Sequence, residues 1–213
     1  MILLGDGTLG MLPEEWIERY GMLGDLGTVD GERIRFRPAQ VGLLDALLAA
    51  EPQASVDLVF TKARDELNRF AGVEPRKAPA RFHGRLRPYQ EAGLGWLSFL
   101  RRFGFGGCLA DDMGLGKTVQ VLAMLAGRPR KSVGPSLVVV PKSLVWNWQQ
   151  EAARFAPDLR LVVHVGPDRA MNAETLRRKL QKADLLVTTY GLLRKDVAFL
   201  REVEMDYVIL DEA

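Results

Sequence analysis

Residues 110–118 read Ala-Asp-Asp-Met-Gly-Leu-Gly-Lys-Thr, which combines two closely spaced glycines with a lysine and a hydroxyl group. Residues 106–109, just before them, are apolar enough to form a buried strand, and residues 119–126 have helical composition. A strand, a glycine-rich loop, Lys-Thr and a helix are the layout of a phosphate-binding loop, because loop amides and a helix N-terminus attract anions. The stretch therefore predicts a nucleotide site.

The side chains of this loop have separate chemical roles. Gly114 and Gly116 let the backbone approach phosphate oxygens without a Cβ atom in the way. Lys117 would reach the β- and γ-phosphates, and the Thr118 hydroxyl would be a ligand of Mg²⁺. The strict motif requires a glycine where this chain has Asp111. A glycine-rich turn with a solvated lysine therefore stays open as an alternative at this point.

A pair of carboxylates, Asp211 and Glu212, follows the apolar segment 207–210. At the end of a strand, Asp211 would hold the water shell of Mg²⁺, and Glu212 would orient and deprotonate an attacking water. The alternative is a strand that ends in two solvated acids. The predicted catalytic residues are thus Lys117, Asp211 and Glu212, with Thr118 and Asp211 as the metal ligands.

Alternating strands and helices from residue 106 onward would position these groups. The predicted strands are 106–109, 137–140, 161–165, 184–188 and 207–210, and the predicted helices between them are 143–155, 172–182 and 191–201. Repeated β–α units imply an α/β fold with a mainly parallel sheet and helices on both faces. Ligands bind at the carboxyl ends of such strands, where the loop, the acidic pair and residues 141–143 and 189–190 would meet. Ser143 is expected to cap its helix, and Cys108 to be buried.

A further helix is predicted from Pro88 onward, since apolar residues recur there every three or four positions. Gln90 lies off the apolar face of this helix. Its amide has a donor and an acceptor and could pair with the N6 and N7 edge of adenine. The alternative is a solvent-exposed glutamine, and Gln90 considered alone favours this alternative.

The composition excludes several classes of protein. The 213 residues are 47% hydrophobic and 26% charged, which is ordinary for a soluble globular protein. We expect no membrane-spanning helix and no signal peptide, and one cysteine permits no internal disulfide. The net charge of +2 does not argue for nucleic acid. Residues 62–102 carry ten basic and four acidic side chains, which fits either a phosphate-binding surface or a solvated one.

The first eighty residues suggest no chemistry. They predict a helix at 13–20, a turn and strand at 29–36, and helices at 38–50 and 55–70. Residues 72–79 contain two prolines and have the composition of a linker. We therefore divide the chain into an α-rich accessory region with its linker, 1–80, and an α/β region, 81–213.

Residues 81–213 resemble the SWI/SNF-type ATPases of helicase superfamily two, in particular bacterial members. The loop 111–118 resembles their ATP-binding motif, in which an acidic residue replaces the missing glycine, and 86–90 resembles their adenine-reading motif. Four later segments resemble further motifs of the family in the right order: 139–148, 164–169, 187–190 and 210–213.

The resemblance implies a RecA-like lobe of an ATP-driven translocase on double-stranded DNA. ATP and Mg²⁺ would be the cofactors, and the nucleotide-binding residues would be Gln90, Asp112, Met113, Gly114, Leu115, Gly116, Lys117 and Thr118. Lys142, Ser143 and Thr189 would contact DNA phosphates without reading sequence. Nucleoprotein or RNA polymerase would be further partners, in the cytoplasm or nucleoid and away from membranes.

The family's motor has two lobes, and this chain ends within the first. We therefore expect little ATP hydrolysis by these residues alone, because an arginine from the second lobe is worth about 10³–10⁵ in rate in related enzymes. In the family, the strand that follows the acidic pair lies between the strand of that pair and the strand before the phosphate loop. Here it would lie beyond residue 213, so we expect a gap in the sheet. The alternative interpretation is a non-catalytic nucleotide-binding or interaction module left by truncation.

Overall fold

The computed structural model describes residues 2–3, 9–10, 26–30, 33–49, 55–129 and 134–213. They fall into two compact units, one built from 1–72 with 100–106 and the other from 73–99 with 107–213. The predicted helix at 13–20 lies outside the described residues. The functional division of the chain at residue 80 stays a prediction.

The described residues of the first unit form two short antiparallel strand pairs and two helices. Strands β1 (Ile2–Leu3) and β2 (Leu9–Gly10) pair antiparallel, as do β3 (Thr28–Asp30) and β4 (Arg33–Arg35). A 3₁₀ turn (Pro38–Gln40) leads into α1 (Val41–Leu48), which packs against α2 (Leu58–Asn68). The two predicted helices are confirmed, with shorter bounds. The strand predicted after a turn in 29–36 is confirmed as β4, and residues 28–30 form a second strand that pairs with it.

The second unit is an α/β layer structure. Its elements are most of α3 (Pro88–Phe103), then α4 (Lys117–Ala126), β5 (Ser136–Val140), a 3₁₀ turn (Lys142–Leu144), α5 (Val145–Phe155), β6 (Leu161–Val163), α6 (Ala173–Leu180), β7 (Leu185–Thr189), α7 (Tyr190–Leu200) and β8 (Val208–Leu210). The strands lie in the order β6-β7-β5-β8, and every pair is parallel. The predicted α/β class is confirmed. No helix among the described residues is long and apolar enough to cross a membrane.

Residues of β5 and β7 are buried on both faces of the sheet, which is why they read as continuous apolar runs. Val138 and Val140 pack in one core with Leu122 of α4 and Trp148 of α5. Leu137 and Val139, which point the other way, pack in a second core that includes Leu176 of α6 and Leu200 of α7. Helices therefore cover both faces, as predicted.

Residues 73–79, which have the composition of a linker, are part of the second unit. The Arg76 amide donates to the Glu91 carbonyl of α3 at 2.8 Å. A Cβ atom on Gly95 of α3 would lie 2.0 Å from the Glu74 carbonyl oxygen, so only glycine permits this approach. The segment is thus packed against the helix that precedes the glycine-rich loop 111–118.

Three local predictions are wrong. Residues 106–109 form no strand, and Cys108 is exposed rather than buried. The reason is pairing, since an apolar segment becomes a strand only where a neighbour supplies hydrogen bonds, and β8 is the described edge strand on that side of β5. Ser143 does not cap a helix, because it lies within the 3₁₀ turn and Leu144 occupies the N-cap position of α5.

Arg128 ties together the amino ends of three strands. Its side chain is 5% exposed and donates to Ser136 Oγ and to the Asp184 carbonyl, both at 2.9 Å. The guanidinium also forms an ion pair with Asp206 at 2.7 Å. These partners lie at the starts of β5, β7 and β8, opposite the edge that carries the candidate site.

We predict that Arg128→Met destabilises the second unit by about 3–5 kcal/mol, the usual cost of removing one partner from a buried ion pair. Arg177→Met is the control, because its ion pair with Glu202 is more than half exposed. Such surface pairs contribute about 0–1 kcal/mol. Urea unfolding of both variants measures the difference, and an equal loss in the two would contradict the role assigned to Arg128.

Candidate nucleotide site

The loop before α4 has the backbone conformation that a phosphate-binding loop requires. Gly114 and Gly116 have φ values of 84° and 76°, in the left-handed region that side chains disfavour. Gly116 is the N-cap of α4, so Lys117 and Thr118 open that helix. A Cβ atom on Gly114 would meet nothing within 4 Å, so the loop borders open space. The predicted order of loop, Lys-Thr and helix N-terminus is present.

Helix α3 holds this loop through its first turn. The Tyr89 hydroxyl donates to the Leu115 carbonyl at 3.1 Å, and Gln90 Nε2 donates to the same oxygen at 3.0 Å. Gln90 Oε1 accepts from the Arg87 amide at 2.9 Å. Gln90 is 7% exposed, so the solvent-exposed alternative is wrong. The structure places Gln90 against the loop 111–118.

Asp111, which stands where the strict motif has glycine, connects the loop to α4. Its carboxylate accepts from Gln120 Nε2 at 2.8 Å, and Gln120 is fully buried. Its carbonyl accepts from Lys117 Nζ at 2.7 Å, and the Asp112 carbonyl accepts from the same group at 3.4 Å. The departure from the motif thus has a structural role. Sequence reasoning missed Gln120, which lies one helical turn after Gly116.

Asp211 is held from two sides at the carboxyl edge of the sheet. Its amide donates to the Val139 carbonyl at 2.9 Å, which continues the pairing of β8 with β5. Its Oδ2 atom accepts from Trp148 Nε1 at 2.7 Å, and its carbonyl accepts from the Tyr190 hydroxyl at 2.8 Å. Trp148 is 1% exposed, so the donor end of the bond is buried. Both donors could have been predicted from the sequence, because Trp148 and Tyr190 are aromatic residues with a polar group, and each follows a predicted strand.

Charge and burial both act on Tyr190. Burial raises the pKa of its hydroxyl, and the negative charges of Asp211 and Glu212 raise that pKa further. The hydroxyl therefore stays a donor at neutral pH. Glu212 is exposed, and its φ of 51° is a left-handed conformation that is uncommon for a residue with a side chain.

The predicted DNA-contacting residues lie on adjacent strand ends, because Val140 of β5 pairs in register with Thr189 of β7. Lys142 and Ser143 are exposed. Thr189 is buried, and its hydroxyl caps α7 by accepting from the Leu192 amide at 3.4 Å.

An exposed aromatic residue lies near Lys142 and Ser143, and we call these three residues the rim. Trp146, in the first turn of α5, is 68% exposed and lies four residues after Lys142. Sequence reasoning missed Trp146. Its position just after the end of a predicted strand is the feature that could have indicated it.

The structure thus assembles two groups rather than one. Gln90 and Tyr89 meet the loop 111–118, and Trp148 and Tyr190 meet Asp211. In the described part of the chain, no hydrogen bond or ion pair joins residues 111–118 to residues 211–213.

A buried polar cluster lies behind the strand ends. Asp196 of α7 accepts from Arg169 Nε at 2.9 Å and faces His164 Nε2 at 2.9 Å. Thr188 Oγ1 donates to the His164 carbonyl at 3.0 Å, which fixes the chain where it leaves β6. Burial raises the pKa of Asp196, but the bonds from Arg169 and His164 outweigh it, and the pKa lies below its usual range.

A parallel sheet with helices on both faces and a glycine-rich loop opening α4 define the class as a RecA-like nucleotide-binding lobe. Residues 89–213 match the SNF2-related domain. This match covers more than half of the chain, and the chain belongs to the SNF2-related family.

Individual relatives agree with this assignment. The chain is 44% identical over 142 residues to YwqA of Bacillus subtilis, named as a candidate ATP-dependent helicase/translocase, covering 64% of this chain and 15% of that protein. It is 38% identical over 143 residues to the ISWI chromatin-remodeling complex ATPase ISW1 of Saccharomyces cerevisiae, covering 65% and 12%. The chain therefore spans 15% or less of the length of these relatives.

A solved structure has the same fold. The Sulfolobus solfataricus SWI2/SNF2 ATPase core in complex with dsDNA is 41% identical, with a TM-score of 0.56. The match covers 67% of this chain and 28% of that chain.

We predict that Asp196→Asn lowers stability at neutral pH by about 1.5–3 kcal/mol, since it weakens hydrogen bonds to a charged acceptor. Because the folded-state pKa lies below the unfolded value of about 3.9, the charged form stabilises the fold above that pH. Its contribution is lost as pH falls through the folded-state pKa. Urea unfolding from pH 7 downward should show parent and variant converging in acid.

Asp158→Asn, at an exposed position, is the control and should track the parent at every pH. A stability difference between the Asp196 variant and the parent that stays constant into strong acid would contradict the prediction.

Proposed function

We propose that this chain is the ATP-binding part of an ATPase that translocates on double-stranded DNA without separating its strands. The observation that carries the proposal is the loop at Gly114 and Gly116, which opens α4 and is held by Gln90 of α3. The amides at a helix N-terminus bind phosphate, and Lys117 adds a positive charge beside them.

The residues present fit Mg·ATP by the chemistry of their donors. Thr118 and Asp211 offer the oxygen ligands that Mg²⁺ prefers, and this ion is usually held by one or two carboxylates together with substrate phosphates. Gln90 already makes one bond with each end of its amide. Each end retains capacity for one more, so an adenine edge can still be recognised.

Hydrolysis would divide the work among the proposed catalytic residues. Lys117 would leave the carbonyls of Asp111 and Asp112 and stabilise the terminal phosphate. Glu212, exposed beside Asp211, would orient and deprotonate the attacking water. Bound Mg²⁺ would neutralise charge on the phosphate oxygens. Turnover would further require an arginine supplied from outside these residues.

The exposed rim at Lys142, Ser143 and Trp146 is the proposed DNA surface. Lysine and hydroxyl groups contact phosphates, and a tryptophan supplies a large apolar face that packs on sugar or base. Thr189 would act indirectly, by capping α7 at the neighbouring strand end. The related archaeal core in complex with dsDNA supports this choice of ligand.

The finer assignments follow from the family alone. We propose nucleoprotein or RNA polymerase as further partners. We propose the bacterial cytoplasm or nucleoid as the location, and the similarity to YwqA of Bacillus subtilis supports a bacterial location. Residues 1–80 would form an accessory region of the same protein.

We predict that Lys117→Ala weakens Mg·ATP binding by about 1.5–3 kcal/mol, the range for a hydrogen bond to a charged group. Calorimetry on the 213-residue chain measures this. Lys182→Ala removes an exposed lysine next to the amino end of β7 and serves as the control. Equal affinity of the Lys117 variant and the parent would contradict the proposed site.

DNA binding should be independent of sequence and weaken with salt, by a log–log slope of about −0.9 per neutralised phosphate. Lys142→Ala should weaken binding and reduce that slope by about one phosphate. Trp146→Ala should weaken binding at every salt concentration without changing the slope, because the contact is apolar.

Fluorescence anisotropy with labelled duplexes of unrelated sequence measures these slopes, with Lys182→Ala again as the control. Affinity that does not respond to salt, or strong preference for one duplex, would exclude the proposed DNA surface.

A further inference from the structure

Asp211 accepts hydrogen bonds from two neighbouring strand ends, the one that carries the exposed rim and the one that ends at Thr189. Trp148 belongs to the helix that follows Lys142 and Ser143, and its indole donates to the carboxylate at 2.7 Å. Tyr190 directly follows Thr189, and its hydroxyl donates to the Asp211 carbonyl at 2.8 Å. The exposed rim and the neighbouring strand end at Thr189 therefore each adjoin a side chain that bonds to the same proposed metal ligand.

The connection to Asp211 is short on both sides, and it ends on the carboxylate at Trp148 and on the main-chain carbonyl at Tyr190. The 3₁₀ turn Lys142–Leu144 runs directly into α5, so Trp148 lies six residues from Lys142 on continuous helical backbone. On the other strand end, Tyr190 is the first residue of α7 and Thr189 is its N-cap. A shift of either segment on binding a ligand would move its donor relative to Asp211, because regular helical backbone transmits displacement.

The chemistry of these bonds suits an orienting role. A carboxylate has two oxygens, and the indole of Trp148 engages only Oδ2, which leaves Oδ1 for a cation. A bond from a neutral donor to an ionised acceptor is among the stronger hydrogen bonds. Hydrogen bonds made by the partners of metal-ligating groups set ligand orientation, and their loss typically reduces metal affinity or activity 10- to 100-fold.

We propose that Trp148 and Tyr190 are positioning residues through which duplex DNA on the rim sets the orientation of Asp211 toward Mg²⁺ and nucleotide. This inference rests on the proposed function. Because coupling between two binding sites is reciprocal, DNA should tighten Mg-nucleotide binding by the same factor by which the nucleotide tightens DNA binding.

A binding cycle tests the coupling without hydrolysis. Calorimetry measures the affinity of the 213-residue chain for Mg²⁺ with a non-hydrolysable ATP analogue, with and without saturating duplex DNA. We expect DNA to tighten binding in the parent by at least about fivefold, the lower end of typical coupling. Tyr190→Phe, which removes one oxygen atom, and Trp148→Phe should each bring the factor close to one.

The control variant is Trp96→Phe, which makes the same substitution in α3 away from Asp211 and should keep the parent's coupling. A residue with only a structural role would lower both affinities alike and leave their ratio unchanged. Should Trp148→Phe fail to fold, Tyr190→Phe carries the test alone. Coupling in Tyr190→Phe equal to that of the parent would overturn the inference.

A spectroscopic measurement needs no nucleotide. The chain has four tryptophans, so its ¹⁵N spectrum contains four indole signals, and Trp148→Phe identifies one of them. DNA alone should shift that signal although the indole is 1% exposed, and Lys142→Ala should reduce the shift. A Trp148 signal that does not move at saturating DNA would contradict the proposal.

Different results would refute the proposed function and the proposed coupling. A parent chain that binds neither Mg-nucleotide nor DNA refutes the proposed function, and the inference with it. A parent chain that binds both ligands, with coupling that neither variant changes, refutes only the inference.

Discussion

Parallel pairing of β5 with both of its neighbours is the constraint on which the rest of the site depends. Register places Thr189 opposite Val140 on one side, and on the other the Asp211 amide bonds to Val139. Three strand ends therefore lie in a row, and Tyr190 reaches across β5 to Asp211. Val138 and Val140 pack in one core and Leu137 and Val139 in the other, so a one-residue slip would exchange the two sets of side chains and is costly.

Local chemistry explains what the sequence predicted well. Gly114 and Gly116 were predictable because only glycine readily adopts their φ values, and apolar runs identified β5 and β7 because both faces are buried. The α/β class and the family followed from the order of such segments.

Tertiary contacts explain what the sequence could not predict. Residues 106–109 are as apolar as a strand but pair with no strand among the described residues, and Cys108 is exposed. Gln90 is buried because its amide fits between Arg87 and the loop. Neither outcome is encoded in spacing along the chain, and the same holds for the bond from Trp148 to Asp211.

The proposed function requires the loop at Gly114–Gly116 and Asp211 to hold one Mg-nucleotide. An experimental structure of the chain with Mg²⁺ and a non-hydrolysable ATP analogue tests this requirement. We expect phosphates against the amides that open α4, with the metal between Thr118 and Asp211 and the Trp148 bond retained. Nucleotide bound elsewhere, or a metal that Asp211 does not approach, would contradict it.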